Sequence, residues 1–297
     1  MAGEAEPTTR RRSNDGPTVR RRQLGTQLRR RREEAGLGHD EVAGQLVGMS
    51  QPKLSRIENG RGAVKPDDVR QLLALYQCDD TALIDALVEM ARNGAKRGMW
   101  WQSYSPYLSD ALGDLIPLEA DADSMKDYQV AFVPGLLQTP AYAREIVSKL
   151  ELRQDVNVDA IVDVRLARQG VLTRTSPLDL WAVIDEQAIR SGVGGPAIMA
   201  EQLSLLIERA KRPNVNIQVM PIGAPAHHGM NGSFTILGFP QRNDLDVVLI
   251  DGPQTSLWVE DAADVALYAK KFDLIRAVAL GPDDSIALIT EQRDKLT

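Results

Sequence analysis

The chain has 297 residues and a formal net charge of −6, and 43% of its residues are apolar. This length favours two domains, because single hydrophobic cores seldom grow beyond about 250–300 residues. The only cysteine, Cys78, excludes an intrachain disulfide framework and a metal site of several cysteines. No apolar run approaches the length that spans a bilayer, so we expect a cytoplasmic protein.

The charge is unevenly distributed along the chain. Residues 1–65 carry 14 Lys and Arg against 8 Asp and Glu, whereas the remaining residues carry 21 against 33. A basic segment on an acidic body suits contact with a polyanion such as DNA at one end only. Residues 1–18, which include Arg10, Arg11 and Arg12, show no packing pattern. They predict a disordered basic tail, either a solubilising leader or an arm that reaches DNA.

The pattern of apolar, turn and capping residues over 19–93 predicts five short helices. They are expected at 19–35, 39–47 and 50–58, then after Pro66 and at 80–92. The second helix would bury Val42, Ala43 and Leu46. A turn at Gly48 follows, and Ser50 is a suitable N-cap for the third helix. A helix, a tight turn and a second helix at this spacing present side chains to the DNA major groove. We therefore predict an all-α DNA-binding domain, associated with the nucleoid when bound.

The third helix has one apolar and one polar face. At 100° per residue, Leu54 and Ile57 point to the core, and Gln51, Ser55 and Arg56 point away from it. Arginine can pair with guanine O6 and N7, and glutamine with adenine N6 and N7. We therefore predict that Gln51, Ser55 and Arg56 read bases. The alternative is a polar face that is merely solvated.

Residues 20–76 resemble the Cro/repressor-like (Cro/C1-type) helix-turn-helix family, also called the XRE family. The matching residues are Leu37, Glu41, Ala43, Leu46, Gly48, Ser50, Gln51, Ser55, Arg56, Ile57, Glu58, Asn59 and Gly60. The resemblance implies that Gln51 and Arg56 touch bases. It also implies that Asn59 and Arg61 hold phosphates, and that Arg32 and Glu58 form a buried structural ion pair.

The sequence departs from this family at two places. Gly38 and His39 stand where the family usually has Thr-Gln, which weakens the cap of the second helix, and Pro52 can offer a base only apolar contact. Phosphate contacts should provide most of the affinity. We predict them for His39, Lys53, Asn59, Arg61 and Lys65. The arginines at 20–22 and 29–31 either join them or form a solvated face.

Residues 94–116 predict a junction, in which the adjacent Trp100 and Trp101 are expected to pack against the junction itself or against the second domain. From 117 to 297, strands and helices mix and predict a mixed α/β (α+β) domain. Strands are expected at 178–184, 216–220, 233–239 and 246–250, and helices at 196–212, 259–280 and 283–295. The predicted fold is therefore multidomain, with a five-helix repressor-like domain followed by a mixed α/β domain.

Several runs between residues 100 and 290 resemble an actinobacterial-type regulator family. They are 118–124, 133–139, 142–144, Arg165, 168–169, 212–215, 219–221, Phe272, 277–280 and Ser285. The family joins a repressor-like domain to a conserved domain of uncharacterised function, is often described as antitoxin-like, and is commonly encoded beside a very small partner protein. The resemblance implies a developmental or antibiotic-production regulator.

The second domain shows no convincing active site in its sequence. His227 and His228 lack a third metal ligand. Asp185 and Glu186 fit a solvated strand end better than an acid–base pair, and 133–139 fits a structural turn before a helix better than an anion site. We expect no catalytic residue, no metal, no cofactor and no enzymatic activity.

These observations predict a sequence-specific transcription regulator that binds double-stranded DNA. Its second domain would form a homodimer and receive a signal from a small-molecule effector or a small partner protein. One alternative is an antitoxin-like interaction protein that sequesters the small partner. Another is an enzyme with a DNA-targeting head, which the missing nucleophile, metal and phosphate motifs oppose.

Overall fold

The computed structural model describes residues 18–93, 100–151, 157–239, 245–252 and 255–297. The chain divides into two compact units, Met1–Ala95 and Lys96–Thr297. Apart from Thr18, the predicted basic tail lies outside the described residues, as do residues 94–99 of the predicted junction.

The first unit contains five helices. They are α1 (Val19–Glu34), α2 (His39–Gln45), α3 (Gln51–Glu58), α4 (Pro66–Leu75) and α5 (Thr81–Asn93). The predicted all-α fold is therefore confirmed. The buried apolar residues recur at helical spacing and come from all five helices: Leu24, Leu28, Val42, Leu54, Ile57, Val69, Leu72, Leu73, Leu83 and Leu87.

Helix α2 is shorter than predicted. It ends at Gln45, and Leu46 already has extended backbone angles. Ala43, predicted to be buried, is only half-buried, and beyond the end of the helix Leu46 is half-buried and Val47 is fully exposed. The helix ends early because the turn that follows it reverses at Gly48, which has a φ of +79°. Met49, after this turn, is buried in the core in place of Leu46.

The second unit is built on a six-stranded sheet with the order β3-β2-β1-β4-β5-β6. The strands are β1 (Ser124–Gln129), β2 (Asp179–Asp185), β3 (Val215–Met220), β4 (Phe234–Gly238), β5 (Val247–Asp251) and β6 (Ser256–Val259). Strands β1, β2 and β3 are mutually parallel, and β4, β5 and β6 are joined by antiparallel pairing.

Seven α-helices accompany the sheet in the described part of this unit. They are α6 (Asp110–Asp121), α7 (Pro140–Leu150), α8 (Val158–Arg168), α9 (Glu186–Arg190), α10 (Pro196–Arg209), α11 (Ala262–Val278) and α12 (Pro282–Asp294). The mixed α+β architecture is confirmed. None of the helices in the described ranges is long and apolar enough to cross a membrane.

One face of the sheet packs against α11. The side chains of Tyr128, Phe234 and Val248 meet Phe272 and Ile275 of this helix in one buried cluster. The Phe234 and Phe272 rings pack edge to face, with centroids 6.4 Å apart. The opposite face of β1 carries the buried Asp127, and it differs in character because polar groups enter the core there.

The structure differs from the sequence prediction around residues 100–121. Helix α6 runs through the predicted boundary between 116 and 117 and buries Leu115 and Ile116. Trp100 and Trp101 begin a 3₁₀ helix, in which side chains three residues apart align. Trp101 packs with Tyr104 against the second unit's core, whereas Trp100 stays 48% exposed.

Candidate nucleic-acid interface

Helix α3 divides its side chains between the core and the solvent. Leu54 and Ile57 are buried, and on the opposite face Gln51 and Arg56 are exposed and Ser55 is half-buried. Ser50 caps the helix by accepting a hydrogen bond from Lys53 N at 3.3 Å. Among the described residues, no hydrogen bond or ion pair engages the side chains of Gln51 and Arg56. These two side chains can therefore meet a ligand without breaking a contact.

At Gly25, helix α1 approaches the backbone of the C-terminal end of α3 so closely that no side chain fits between them. A Cβ atom at Gly25 would lie 2.5 Å from the carbonyl oxygen of Ile57 and 2.7 Å from that of Glu58. Only glycine permits this approach, so Gly25 fixes the position of α3. Sequence analysis missed this role, because a lone glycine inside a helix gives no indication of what it faces.

Glu58 ties α3 to the first two helices. It accepts two hydrogen bonds from Arg32, at 2.7 and 2.9 Å, and His39 Nε2 lies 2.9 Å from its second oxygen. Burial raises the pKa of Glu58, but the hydrogen bonds from Arg32 and His39 outweigh it and hold the pKa below its ordinary value. Arg32 also donates to the carbonyl of Leu37 at 2.8 Å. This network anchors the loop between α1 and α2.

The weakened cap of α2 is compensated by a different residue. Glu41 Oε2 accepts a hydrogen bond from the Gly38 amide at 2.7 Å, which satisfies a donor at the start of the helix. His39, predicted to contact phosphate, is turned toward Glu58.

The other predicted phosphate contacts fall into two groups. Lys53 Nζ lies 3.0 Å from Asp68 Oδ2, and the Asn59 side chain accepts from Arg29 at 2.9 Å. These side chains already have protein partners. Arg61 and Lys65 are exposed, and within the described part of the chain neither side chain forms a hydrogen bond or ion pair.

The five-helix unit and the exposed face of α3 define a helix-turn-helix protein. A family model described as a helix-turn-helix domain matches residues 23–87. A second model, described as a domain of unknown function (DUF5753), matches residues 112–291, more than half of the chain. The chain therefore belongs to the DUF5753 family. Neither the curated proteins nor the solved structures contain a significant match.

In the second unit, the acidic and histidine motifs have structural partners. Asp185 accepts from the Gln187 amide and so caps α9, and Glu186 accepts from Arg190 and from the Ile222 amide. His227 Nδ1 accepts from the Gly229 amide at 3.1 Å. No group of three or more metal-ligating side chains occurs in the described ranges.

The segment 133–139 is held by hydrogen bonds from outside it. Gln202, fully buried on α10, accepts from the Thr139 amide at 2.8 Å and donates to the Leu137 carbonyl at 2.7 Å. Thr139 in turn caps α7 by accepting from the Tyr142 amide. The segment is thus a turn that Gln202 fixes by two hydrogen bonds and that leads into a helix. The side-chain oxygen of Gln138 accepts a hydrogen bond from Arg165.

A buried polar network lies beside this segment and escaped sequence analysis. Arg168 donates to both oxygens of Glu119, at 3.1 and 2.7 Å. Asp127 accepts from Gln129 and Thr235, at 2.8 and 2.9 Å. Burial raises the pKa of Asp127 to about 6, although these two hydrogen bonds oppose the rise. The sequence offered no signal for the pairing of Arg168 with Glu119 or of Thr235 with Asp127, because these partners are 49 and 108 residues apart in the chain.

Proposed function

We propose that this protein is a sequence-specific transcription regulator of the Cro/repressor-like (XRE) kind that inserts α3 into the major groove of DNA. The observation that carries the proposal is the exposed face of α3, where Gln51 and Arg56 are solvent-accessible while the opposite face is sealed in the core. In this proposal Gln51, Ser55 and Arg56 read base edges by the donor and acceptor pattern of the major groove.

Phosphate contacts would position α3 and supply much of the affinity. Arg61 and Lys65 can contact phosphates directly, because both are exposed. Lys53 and Asn59 would exchange their protein partners for phosphate oxygens. His39 would contribute only if it leaves Glu58 or presents its other ring nitrogen. Binding should therefore weaken steeply with salt.

The test compares Arg56→Ala with the wild-type protein on two duplexes. An operator is first selected from random duplexes with the purified full chain, and affinities for it and for a scrambled duplex are measured by fluorescence anisotropy. A bidentate arginine–guanine pair is worth about 1–3 kcal/mol of discrimination, so the ratio of the two affinities should fall about 5- to 150-fold. Binding to the scrambled duplex should stay nearly unchanged and sensitive to salt.

Two further variants serve as controls. Arg92→Ala, at an exposed arginine on α5, should behave as wild type. Lys65→Ala should weaken binding to both duplexes equally and reduce the salt slope by about one. If Arg56→Ala loses affinity equally on both duplexes, or if the wild type selects no operator, the base-reading role of α3 is refuted.

We further infer that the second unit pairs two copies of the chain. A single helix-turn-helix reads one half-site, and two-fold pairing provides the second contact. Helix α11 supports this inference, because Leu267, Leu274 and Val278 recur at helical spacing and remain 58%, 41% and 36% exposed. The same unit would receive the signal of a small-molecule effector or a small partner protein. Capture of such a partner by this stripe is the antitoxin-like alternative.

A further inference from the structure

Arg165, on α8, is a partly buried cation with incomplete hydrogen bonding. Its Nη1 donates to Gln138 Oε1 at 2.9 Å. Its Nε is buried and has no hydrogen-bond partner. Within the described ranges it forms no ion pair, although a guanidinium has five N–H donors. A sheltered charge with an unused donor destabilises the fold unless a further group pairs with it.

Arg168, three residues further along the same helix, provides the contrast. Both oxygens of Glu119 accept hydrogen bonds from it, and the pair is almost completely buried. One arginine is therefore satisfied inside the protein and its neighbour is not. Burial and then the positive charge of Arg168 lower the pKa of Arg165 to about 10, and Asp251 only partly offsets them. Asp251 itself is exposed and is bonded by Ser256.

The position of Arg165 in the fold is one where ligands commonly bind. Strand β1 is where the strand order reverses, since β2 and β3 lie on one side and β4, β5 and β6 on the other. Ligands of open α/β sheets commonly bind beyond the carboxyl ends of parallel strands. Strand β4 is antiparallel to β1, so of the two neighbours of β1 only β2 presents its carboxyl end at the same edge. Gln138 lies in the segment that leaves the carboxyl end of β1. Asp251 ends β5, which runs in the same direction as β1.

We propose that Arg165 is the centre of an anion-binding site that takes the carboxylate or phosphate group of a small molecule. The oxyanion accepts hydrogen bonds from Nη2, which unlike Nε is not enclosed by protein, and from the second hydrogen of Nη1, in the bidentate geometry that arginine favours. Gln138 holds the guanidinium in place through Nη1. The site rests on the proposed regulatory role for its biological meaning, but anion binding is measurable without DNA.

The experiment uses the full chain and two probes, inorganic phosphate and acetate, at constant ionic strength set with chloride. All four tryptophans lie between residues 100 and 258, so their fluorescence during heating reports on the second unit. The melting temperature of the wild type should rise with the concentration of at least one probe in a saturable manner. Isothermal titration calorimetry gives the affinity, and the responding probe distinguishes phosphate from carboxylate ligands.

Arg165→Gln should lose at least about tenfold in affinity, because it removes the charge and the planar fork. Arg209→Gln is the matched control. Arg209 is also half-buried and has an unpartnered Nε. It is the last residue of α10 and precedes the amino end of β3, whereas Arg165 is bonded to the segment that follows the carboxyl end of β1. It should bind the probe as the wild type does. If Arg165→Gln does not fold, Arg165→Lys replaces it; this variant keeps the charge, loses the fork and should also bind at least about tenfold more weakly.

The proposal is overturned if Arg165→Gln, or Arg165→Lys in its place, responds as the wild type does. It is also overturned if the wild type shows no saturable response to either probe up to about 50 mM, the concentration at which weak millimolar binding would be complete. DNA affinity in the absence of probe should be the same for the wild type and Arg165→Gln. A failure of anion binding is therefore separable from a failure of the proposed DNA-binding role.

Discussion

Glu58 is the residue on which three helices of the DNA-binding unit converge. Its carboxylate is buried, and it remains charged because Arg32 from α1 and His39 from α2 provide donors. The family resemblance implied the pair with Arg32. It did not reveal that His39 joins them, because a histidine at the start of a helix fits a phosphate contact equally well.

Gly25 is the second residue on which the position of α3 depends. We expect Gly25→Ala to destabilise the helical unit by about 1–3 kcal/mol, because the added methyl would overlap backbone carbonyls that cannot move independently. Affinity for the operator should fall together with stability, since α3 would be displaced. Circular dichroism during denaturant unfolding measures the first effect, and fluorescence anisotropy the second.

Gly44→Ala is the control for this prediction. Gly44 lies within α2, and a Cβ there would meet no atom within 4 Å. The substitution should leave stability unchanged or raise it by about 0.5–1 kcal/mol, through the higher helix propensity of alanine. Equal effects of the two substitutions would show that close packing at Gly25 is not the cause.

At the scale of elements, strand β1 shows why part of the sheet escaped prediction. Its sequence is Ser-Met-Lys-Asp-Tyr-Gln, in which charged residues stand at the centre of a strand that is covered on both faces. Lys126 lies over the Phe272 ring and Asp127 is buried among polar side chains on the other face. A period-two pattern of apolar residues is therefore absent, although the strand occupies the middle of the sheet.

The buried Asp127 makes the stability of the second unit depend on pH. Its pKa is raised to about 6 in the folded protein, so the folded state holds this proton more tightly than the unfolded state does. The resulting stabilisation is complete below pH 4 and is lost as the pH rises toward 6, by about 3 kcal/mol at most. Tryptophan fluorescence during denaturant unfolding at pH 4.5 and 7.5 measures the difference.

Asp127→Asn should remove most of this dependence on pH. An asparagine oxygen can still accept from Gln129 and Thr235, and it carries no charge. The variant should therefore match the wild type at pH 4.5 and exceed its stability at pH 7.5. Parallel pH profiles for the two proteins would contradict a raised pKa at this residue.

At the scale of the whole molecule, charge separates two functions along one chain. Residues 1–65 carry 14 Lys and Arg against 8 Asp and Glu and the rest of the chain carries 21 against 33, so a polyanion such as DNA is attracted to the first part of the chain and repelled by the rest. The proposed pairing of copies through α11 belongs to this scale, because operator affinity depends on two linked half-site contacts.

We expect Leu274→Glu to weaken pairing by placing a charge in the exposed apolar stripe of α11. Light scattering should show a dimer for the wild type and a monomer for the variant, and the variant should bind a two-half-site operator at least about tenfold more weakly. Leu150→Glu, at a 56% exposed leucine on α7, is the control and should remain a dimer. A monomeric wild type would remove the pairing proposal and leave the stripe available for a small partner.

The sequence by itself determined the five helices of the first unit and the division of α3 into a buried and an exposed face. Its helices, the Ser50 cap and the two faces of α3 follow from interactions within a few residues, which a pattern in the chain records directly. The mixed character of the second unit was predictable for the same reason, from strands and helices whose apolar pattern is local.

Only the tertiary structure decided the strand order, the place of β1 and the polar network beside it. Arg168 and Glu119 are 49 residues apart, and Thr235 and Asp127 are 108 residues apart. Whether such a charge is solvated, paired or left with an unused donor depends on which distant segments the fold brings to it. That is why Arg165 reads as an ordinary helical arginine in the sequence, and its unpaired Nε emerges only once the chain is folded.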